Sequence, residues 1–345
     1  MLKIIADENI PHIAELTAPW GVTQLVAGRS ITNEQLKQAD VLLVRSVTQI
    51  NQALLENTSV KFIGSCTAGI DHVDLGYLQK NNIEFVYAPG SNARSVAEYV
   101  LASLLYVAEK KKVSLKNKTL AIIGYGHVGR QVAQLMSLLG VKIMLNDPPL
   151  QETGEQNLIS FEEALTADII CLHTPLIRSG IFPTFHLIGA AELEKISPNA
   201  ILLNAARGAV VDNLALYKHL QENPQFTAIL DVWENEPNIH RELAQLCAIS
   251  TPHIAGYSWD SKINSAKQVV EKMVGYFFSS AEKGQTQRFA PTKEIIKQFY
   301  NVEQDHQALQ ALMKLPDATA RAQGFDLLRK NYPERREFSV LDNYL

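Results

Sequence analysis

Arg207, Glu236 and His253 are three residues whose chemistries suit one another. An imidazole titrates near neutrality and can take or return a proton. A carboxylate beside it orients the ring and favours the imidazolium. An arginine fork binds a carboxylate through two charge-assisted hydrogen bonds, each worth about 1.5–3 kcal/mol. Such a set suits a reaction in which hydride leaves or enters a carbon that bears a hydroxyl next to a carboxylate. Each residue follows an apolar run that reads as a strand: Ala200–Asn204, Phe226–Leu230 and Cys247–Ser250. In doubly wound sheets the carboxyl ends of the strands form the ligand crevice, so all three are expected on one side. Taken singly, each also has an ordinary explanation as a loop ion pair, a helix-cap acid or a hydrogen-bonded histidine.

A second motif is Gly124-Tyr125-Gly126-His127-Val128-Gly129. The apolar run Leu120–Ile123 precedes it, a helical pattern with Val132, Leu135, Met136 and Leu139 follows, and a further strand pattern ends at Asp147. This is the context in which G-x-G-x-x-G binds a dinucleotide: the glycines allow a tight turn and close approach of a pyrophosphate to backbone N–H groups at a helix N-terminus. Asp147 can accept hydrogen bonds from ribose hydroxyls and would repel a 2′-phosphate. Pro148 and Pro149 follow it with no adjacent Arg or Lys, which favours NAD over NADP. A turn aspartate before proline is the plainer alternative.

Elements that could hold these residues recur along the chain. The strand candidates are Leu2–Ala6, Val22–Val26, Val41–Val44, Val60–Gly64 and Ile83–Tyr87, then Thr119–Gly124, Val141–Asn146, Asp168–Leu172 and the three named above. Short runs rich in Val, Ile and Leu fit strands buried on both faces of a parallel sheet, and helical patterns separate them. Two series imply two α/β units with doubly wound parallel sheets. A helix from Arg94 to Lys112 joins them and is apolar on most sides, as expected of one packed between two domains. The lysines that follow, Lys110, Lys111, Lys112, Lys116 and Lys118, read as a solvated helix end. A second long helical pattern runs from Ser261 to Phe278. Residues 291–345 are helical and charged, with apolar positions at Ile295, Ile296, Phe299, Leu309, Leu312, Leu327 and Leu328. About 55 residues build little core alone, so this tail is expected to pack on the body or on a second subunit.

The chain has 345 residues, 46% hydrophobic and 20% charged, which suits two folded domains and excludes a disordered chain. Lys plus Arg is 32 and Asp plus Glu is 36, a net charge of −4, which offers no electrostatic footprint for nucleic acid. The longest apolar stretch is too short to cross a bilayer, and Asp7 interrupts the start before a signal-peptide core can build, so a cytoplasmic protein without membrane partners is expected. Cys66, Cys171 and Cys247 lie far apart in apolar runs, which favours buried free thiols; no metal-ligand spacing is present and no metal is expected.

The chain resembles the D-isomer-specific 2-hydroxyacid dehydrogenases. The likeness rests on Asn204-x-x-Arg207-Gly208-x-x-Val211-Asp212-x-x-Ala215-Leu216, Asp231-Val232-Trp233-x-x-Glu236-Pro237, Thr251-Pro252-His253-Ile254-Ala255-Gly256 and His173-Thr174-Pro175-Leu176. Trp233 stands where Phe is commoner, a change expected to affect packing only. Ala6-Asp7-Glu8-Asn9, Val44-Arg45-Ser46-Val47-Thr48, Thr67-Ala68-Gly69-Ile70-Asp71-His72-Val73-Asp74, Tyr257 and Lys330-Asn331-Tyr332-Pro333-Glu334-Arg335-Arg336-Glu337-Phe338 resemble a subgroup that acts on a small phosphorylated 2-hydroxy acid. The resemblance implies a Rossmann-type NAD domain, residues 94–256, inserted into a flavodoxin-like substrate domain, residues 1–93 with 257–285. It makes residues 286–345 a dimerisation segment of a homodimer. It implies that Arg207 holds the substrate carboxylate and carbonyl region, that Glu236 supports His253, and that His253 is the acid/base. Ser46, Thr67 and Tyr257 would contact substrate. Asp147, Thr174, Asp231 and Gly256 would contact NAD, with the glycine loop and its His127 and Val128. Arg45, Arg94, Arg335 and Arg336 are candidates for the substrate phosphate, unless Arg335 and Arg336 pair with Glu334 and Glu337 on the surface. The implied activity is NAD-dependent oxidation to the 2-oxo acid. A sister enzyme acting on 3-phosphoglycerate or an unphosphorylated 2-hydroxy acid, and an NAD-binding regulatory module, are the alternatives.

Overall fold

A computed structural model describes residues 1–278 and 300–338. It contains two compact units: one from Met1–Asn92 and the chain resuming at Ser258, the other from Ala93–Tyr257 and the C-terminal helices. Tyr257, expected with the substrate domain, belongs to the second unit. The expected boundary at 285/286, and Ile295, Ile296 and Phe299, lie outside the described residues.

The first unit carries β1 (Leu2–Asp7), β2 (Gly21–Val26), β3 (Val41–Val44), β4 (Phe62–Ser65) and β5 (Glu84–Tyr87). They form one parallel sheet in the order β2-β1-β3-β4-β5. Alternate residues feed two cores: Ile4, Val41, Leu43 and Phe62 face one side, Ile5, Leu42, Val44 and Ile63 the other. That two-sided burial is why these strands read as unbroken apolar runs. The connection after β1 leads to β2 on one side and that after β3 to β4 on the other, which opens a crevice at the carboxyl ends of β1 and β3.

The second unit carries β6 (Thr119–Ile123), β7 (Lys142–Asn146), β8 (Ile169–Leu172), β9 (Ile201–Asn204), β10 (Thr227–Leu230) and β11 (Ile249–Ser250), in the parallel order β11-β10-β9-β8-β6-β7. Its corresponding crevice lies between β6 and β8. Leu120, Ile122 and Cys171 enter the core on one face, Ala121, Ile123 and Leu172 the core on the other. Among the described residues, the helices of ten or more residues are α1 (Ala93–Lys111), α2 (His127–Ser137), α3 (Asn213–Glu222), α4 (Trp259–Phe278), α5 (Val302–Met313) and α6 (Ala318–Lys330).

The strand ends differ from the sequence expectation by a residue or two. Two strands begin two residues late: β4 at Phe62 rather than Val60, and β11 at Ile249, because Cys247 caps the preceding short helix by donating its N–H to the Leu243 carbonyl. All three cysteines are free and buried, and burial pushes the Cys66 thiol up to about 12. Three of the five clustered lysines are tied to other parts of the fold: Lys110 pairs with Glu303, Lys111 donates to the Gln225 carbonyl and the Thr227 hydroxyl, and Lys118 pairs with Asp168. Among the described residues no helix is long and apolar enough to cross a membrane.

α1 is buried on nearly every side along its first half within the second unit's own core. The C-terminal segment packs there too: Leu309, Met313 and Phe325 enter one core, Val302, Tyr300 and Phe338 the other. Residues 335–338 run along the start of α1. Arg94 donates to the Phe338 carbonyl, Phe338 N–H to Glu98 Oε1, Ser95 Oγ to Glu337, and Arg335 Nη2 to the Ser95 carbonyl. Arg335 is 6% exposed and lies 4.4 Å from the Tyr300 ring centroid, so it does not form the surface pair considered from sequence. Glu98 is wholly buried, and burial lifts its carboxyl to about 7 against the Arg94 guanidinium 2.5 Å away. A folded-state value above the unfolded one favours the fold when the group is protonated, below about pH 4.5, and that stability is lost as pH rises through 7. Thermal melts should therefore show Glu98→Gln gaining stability relative to the parent between pH 5 and pH 8; a difference constant with pH would contradict this.

Candidate active site

The glycine loop has the shape its sequence demands. Gly124, at φ +98°, sits where a Cβ would come within 2.7–2.9 Å of the His173–Thr174 backbone. A Cβ on Gly129 would meet the Gly124 carbonyl oxygen at 2.2 Å, so this glycine lets α2 pack close to the turn. Above Gly126, the N-cap of α2, nothing lies within 4 Å of the Cβ position, which leaves the helix N-terminus open. His127 is exposed and Val128 half-buried in the first turn of that helix.

Asp147 ends the β7 connection and is half-buried. Its Oδ2 accepts the Tyr125 N–H at 2.8 Å, and its Oδ1 accepts the Leu150 N–H at 3.0 Å, capping the short helix Pro148–Glu152. The carboxylate is thus fixed beside the glycine loop, and each oxygen keeps a lone pair for a further donor. Across the turn, the Thr174 hydroxyl and both His173 ring nitrogens are buried without a hydrogen-bond partner. Burial pulls His173 down to about 4, so its ring is neutral. A cradle open over Gly126, a fixed carboxylate and orphaned polar atoms at the end of β8 fit a dinucleotide laid over the β6–β8 switch point.

The candidate groups Arg207, Glu236 and His253 sit further along the same sheet edge. Asp231, 1% exposed, takes Thr251 Oγ1 at 2.6 Å and Ile254 N at 2.8 Å on Oδ1, and Ala255 N at 2.9 Å on Oδ2. Its backbone carbonyl accepts His253 N at 2.7 Å. These bonds fix loop 251–255 and hold His253 in the left-handed region, φ +58°, which costs a non-glycine residue energy that local contacts must offset. Trp233 Nε1 donates to the Thr251 carbonyl at 2.9 Å. This corrects the expectation that tryptophan here alters packing alone: its indole N–H ties the β10 loop to the β11 loop, which phenylalanine cannot do.

His253 Nδ1 lies 2.8 Å from Glu236 Oε2, and Glu236 Oε1 accepts the Trp233 N–H at 2.9 Å. Burial alone would raise the Glu236 carboxyl, but the His253 imidazole, its hydrogen bond, the Trp233 N–H and the Arg329 guanidinium hold it below the ordinary carboxylate range. An ionised Glu236 favours the tautomer with the proton on Nδ1, which leaves a lone pair on Nε2. Arg207 is half-buried just after β9 and donates from Nη1 to the Ala206 carbonyl at 2.8 Å. Gly208 next to it allows no side chain, since a Cβ would fall 1.9 Å from the Trp233 carbonyl carbon; the β9 and β10 loops are in contact. Glu234 joins that contact by accepting Asn213 N and bonding His186 Nε2 at 2.7 Å. Gly256 and Tyr257 are half-buried at the end of the His253 loop.

In the first unit, Ser46 is exposed after β3 and Thr67 half-buried after β4, where it donates to the Gly69 carbonyl. Arg45 is held at the β1–β3 crevice by the fully buried Asp7, with Nε at 2.9 Å from Oδ2. Of the phosphate candidates, Arg94 is spent on Glu98 and Phe338, and Arg335 is enclosed. The contacts that sequence reasoning missed come from the tail: Arg335 Nη2 donates to the Ala255 carbonyl at 2.7 Å and Arg329 Nη2 to the Tyr257 hydroxyl at 3.2 Å. Neither leaves a local signal, since each partner lies more than 70 residues away.

Replacing Asp147 with Ala should weaken use of NAD more than of NADP, because a ribose acceptor and a charge that repels a 2′-phosphate go together. Steady-state kinetics with both cofactors measure this; an unchanged ratio of kcat/KM would remove Asp147 from the role.

Residues 100–255 match the family described as D-isomer specific 2-hydroxyacid dehydrogenase, NAD binding domain, and residues 280–342 match a domain of unknown function. An erythronate-4-phosphate dehydrogenase of Hahella chejuensis is 42% identical, with 98% of this chain and 93% of the relative covered. One from an Escherichia coli O139:H28 strain is 40% identical, with 99% and 93% covered. Among solved structures, an NAD+-bound 3-phosphoglycerate dehydrogenase of Entamoeba histolytica aligns with a TM-score of 0.71 at 25% identity, over 84% of this chain and 99% of that one. A D-lactate dehydrogenase of Aquifex aeolicus complexed with NAD and lactic acid aligns with a TM-score of 0.65 at 25% identity, over 79% and 95%. The two parallel sheets, the dinucleotide cradle and this likeness over nearly the whole length agree: the chain belongs to the erythronate-4-phosphate dehydrogenases of the D-isomer-specific 2-hydroxyacid dehydrogenase family, NAD-dependent oxidoreductases.

Proposed function

We propose that this protein oxidises 4-phospho-D-erythronate to (R)-3-hydroxy-2-oxo-4-phosphooxybutanoate, a step in the synthesis of pyridoxal 5′-phosphate. The observation that carries the reading is the His253–Glu236 pair, 2.8 Å apart at the carboxyl ends of β10 and β11 in a chain about 40% identical to relatives of that name. His253 Nε2 takes the proton of the C2 hydroxyl as the C2–H bond breaks. Glu236 accepts the Nδ1 proton, orients the ring and stabilises the imidazolium that forms. Arg207 holds the substrate carboxylate and polarises the developing carbonyl. NAD, when bound, accepts the hydride. Gly124, Gly126, His127, Val128 and Gly129 would receive its pyrophosphate, and Asp147 its ribose. Thr174, Asp231 and Gly256 would complete the site, Asp231 chiefly by fixing the His253 loop.

Ser46, Thr67 and Tyr257 are assigned to substrate, and Arg45 to its phosphate. Arg45 supports that role because Asp7 already fixes its guanidinium at a strand-end crevice beside Ser46. Residues 286–345 are assigned to a homodimer, and the protein to the cytoplasm, in keeping with its composition and its likeness to metabolic enzymes.

Initial rates with 4-phosphoerythronate and 3-phosphoglycerate under identical conditions test the reading. The phosphorylated four-carbon acid should be preferred, and His253→Asn should lower kcat by roughly 10²–10⁴ while NADH binding survives. Equal or reversed preference would favour a sister activity. NADH binding without turnover of any 2-hydroxy acid would favour a binding module.

A further inference from the structure

α6 ends in Arg329 and Lys330, and its last turn lies against the loop that follows His253. Arg329 is half-buried. Its Nη2 donates to the Tyr257 hydroxyl at 3.2 Å, and its guanidinium carbon is 5.8 Å from that ring's centroid. Tyr332, just beyond the helix, meets the Tyr257 ring edge-on at 6.0 Å. Arg335 then seizes the Ala255 carbonyl at 2.7 Å. The tail therefore grips residues 255–257 at two points, immediately after the histidine.

We propose that Arg329 is a positioning residue for the catalytic pair: it fixes Tyr257 at the end of the His253 loop and places a fixed positive charge near Glu236. The proposal rests on the assignment of Glu236 and His253 as the reacting pair, and it gives the C-terminal segment a part in the chemistry besides assembly. The charged and titratable groups acting on Glu236 are His253 from the β11 loop and Arg329 from α6. Arg329 in turn faces Tyr257, Glu236 and Asp231. Removing the guanidinium takes a positive neighbour from the carboxylate, so the coupled pair protonates at higher pH.

The test is the pH dependence of kcat/KM for the parent, Arg329→Met, Arg329→Lys and His253→Asn, with NADH binding as the check on folding. Arg329→Met should lose roughly tenfold in kcat/KM, the size of one charge-assisted hydrogen bond, and its acid limb should move to higher pH. Arg329→Lys keeps the charge, so its limb should stay near the parent's while kcat/KM still falls. Arg329→Met that binds NADH and leaves both rate and limb unchanged overturns the proposal. If Arg329→Met fails to fold, unchanged kcat/KM in Arg329→Lys overturns it instead. An active His253→Asn would defeat the underlying assignment, an outcome distinct from either.

Discussion

The Asp231 carboxylate, sealed at the end of β10, takes three hydrogen bonds from the loop after β11, and much of the site follows from that arrangement. The loop must carry His253 with a positive φ, a conformation that L residues avoid. Hydrogen bonds to an ionisable acceptor in a water-poor setting are among the stronger ones available to hold it there, about 1.5–3 kcal/mol each. Thr251 itself is held a second time by the Tyr99 hydroxyl of α1 and a third time by the Trp233 indole. Position, in this site, is built by elements remote in sequence converging on one short loop.

Charge is arranged around the same loop. Glu236 is a half-buried carboxylate that the His253 ring, a backbone N–H and Arg329 keep ionised. His173, in contrast, is buried with no hydrogen-bond partner on either ring nitrogen, and it is neutral. Of the imidazoles after β8 and β11, one is sealed in without a partner and the other is held by a carboxylate. The tail strap adds a third environment, in which the enclosed carboxyl of Glu98 titrates near 7 despite its arginine.

Most of the architecture was legible because both sheets are covered on both faces. Strands such as Val41–Val44 and Ile169–Leu172 are buried at every residue, so their sequences are continuous apolar runs. The glycine loop and Arg207, Glu236 and His253 were legible because each sits within a few residues of a strand end, where local spacing carries the message. The tail's contribution was not. Arg329 and Arg335 lie in a charged segment expected to pack on the body or on a second subunit, with Arg335 a candidate for the substrate phosphate, and only folding shows which groups their guanidiniums reach. Trp233 was misread for a related reason: an indole looks like core, and its N–H donor matters only once the Thr251 carbonyl is in place.

The central claim is that Glu236 and His253 act as one proton-handling unit. The most direct measurement is the pH dependence of kcat/KM for the parent and Glu236→Gln. Loss of the carboxylate removes what stabilises the imidazolium, so the apparent pKa of the acid limb should move to lower pH. A limb that stays where it is would contradict the pairing, however close the two side chains lie.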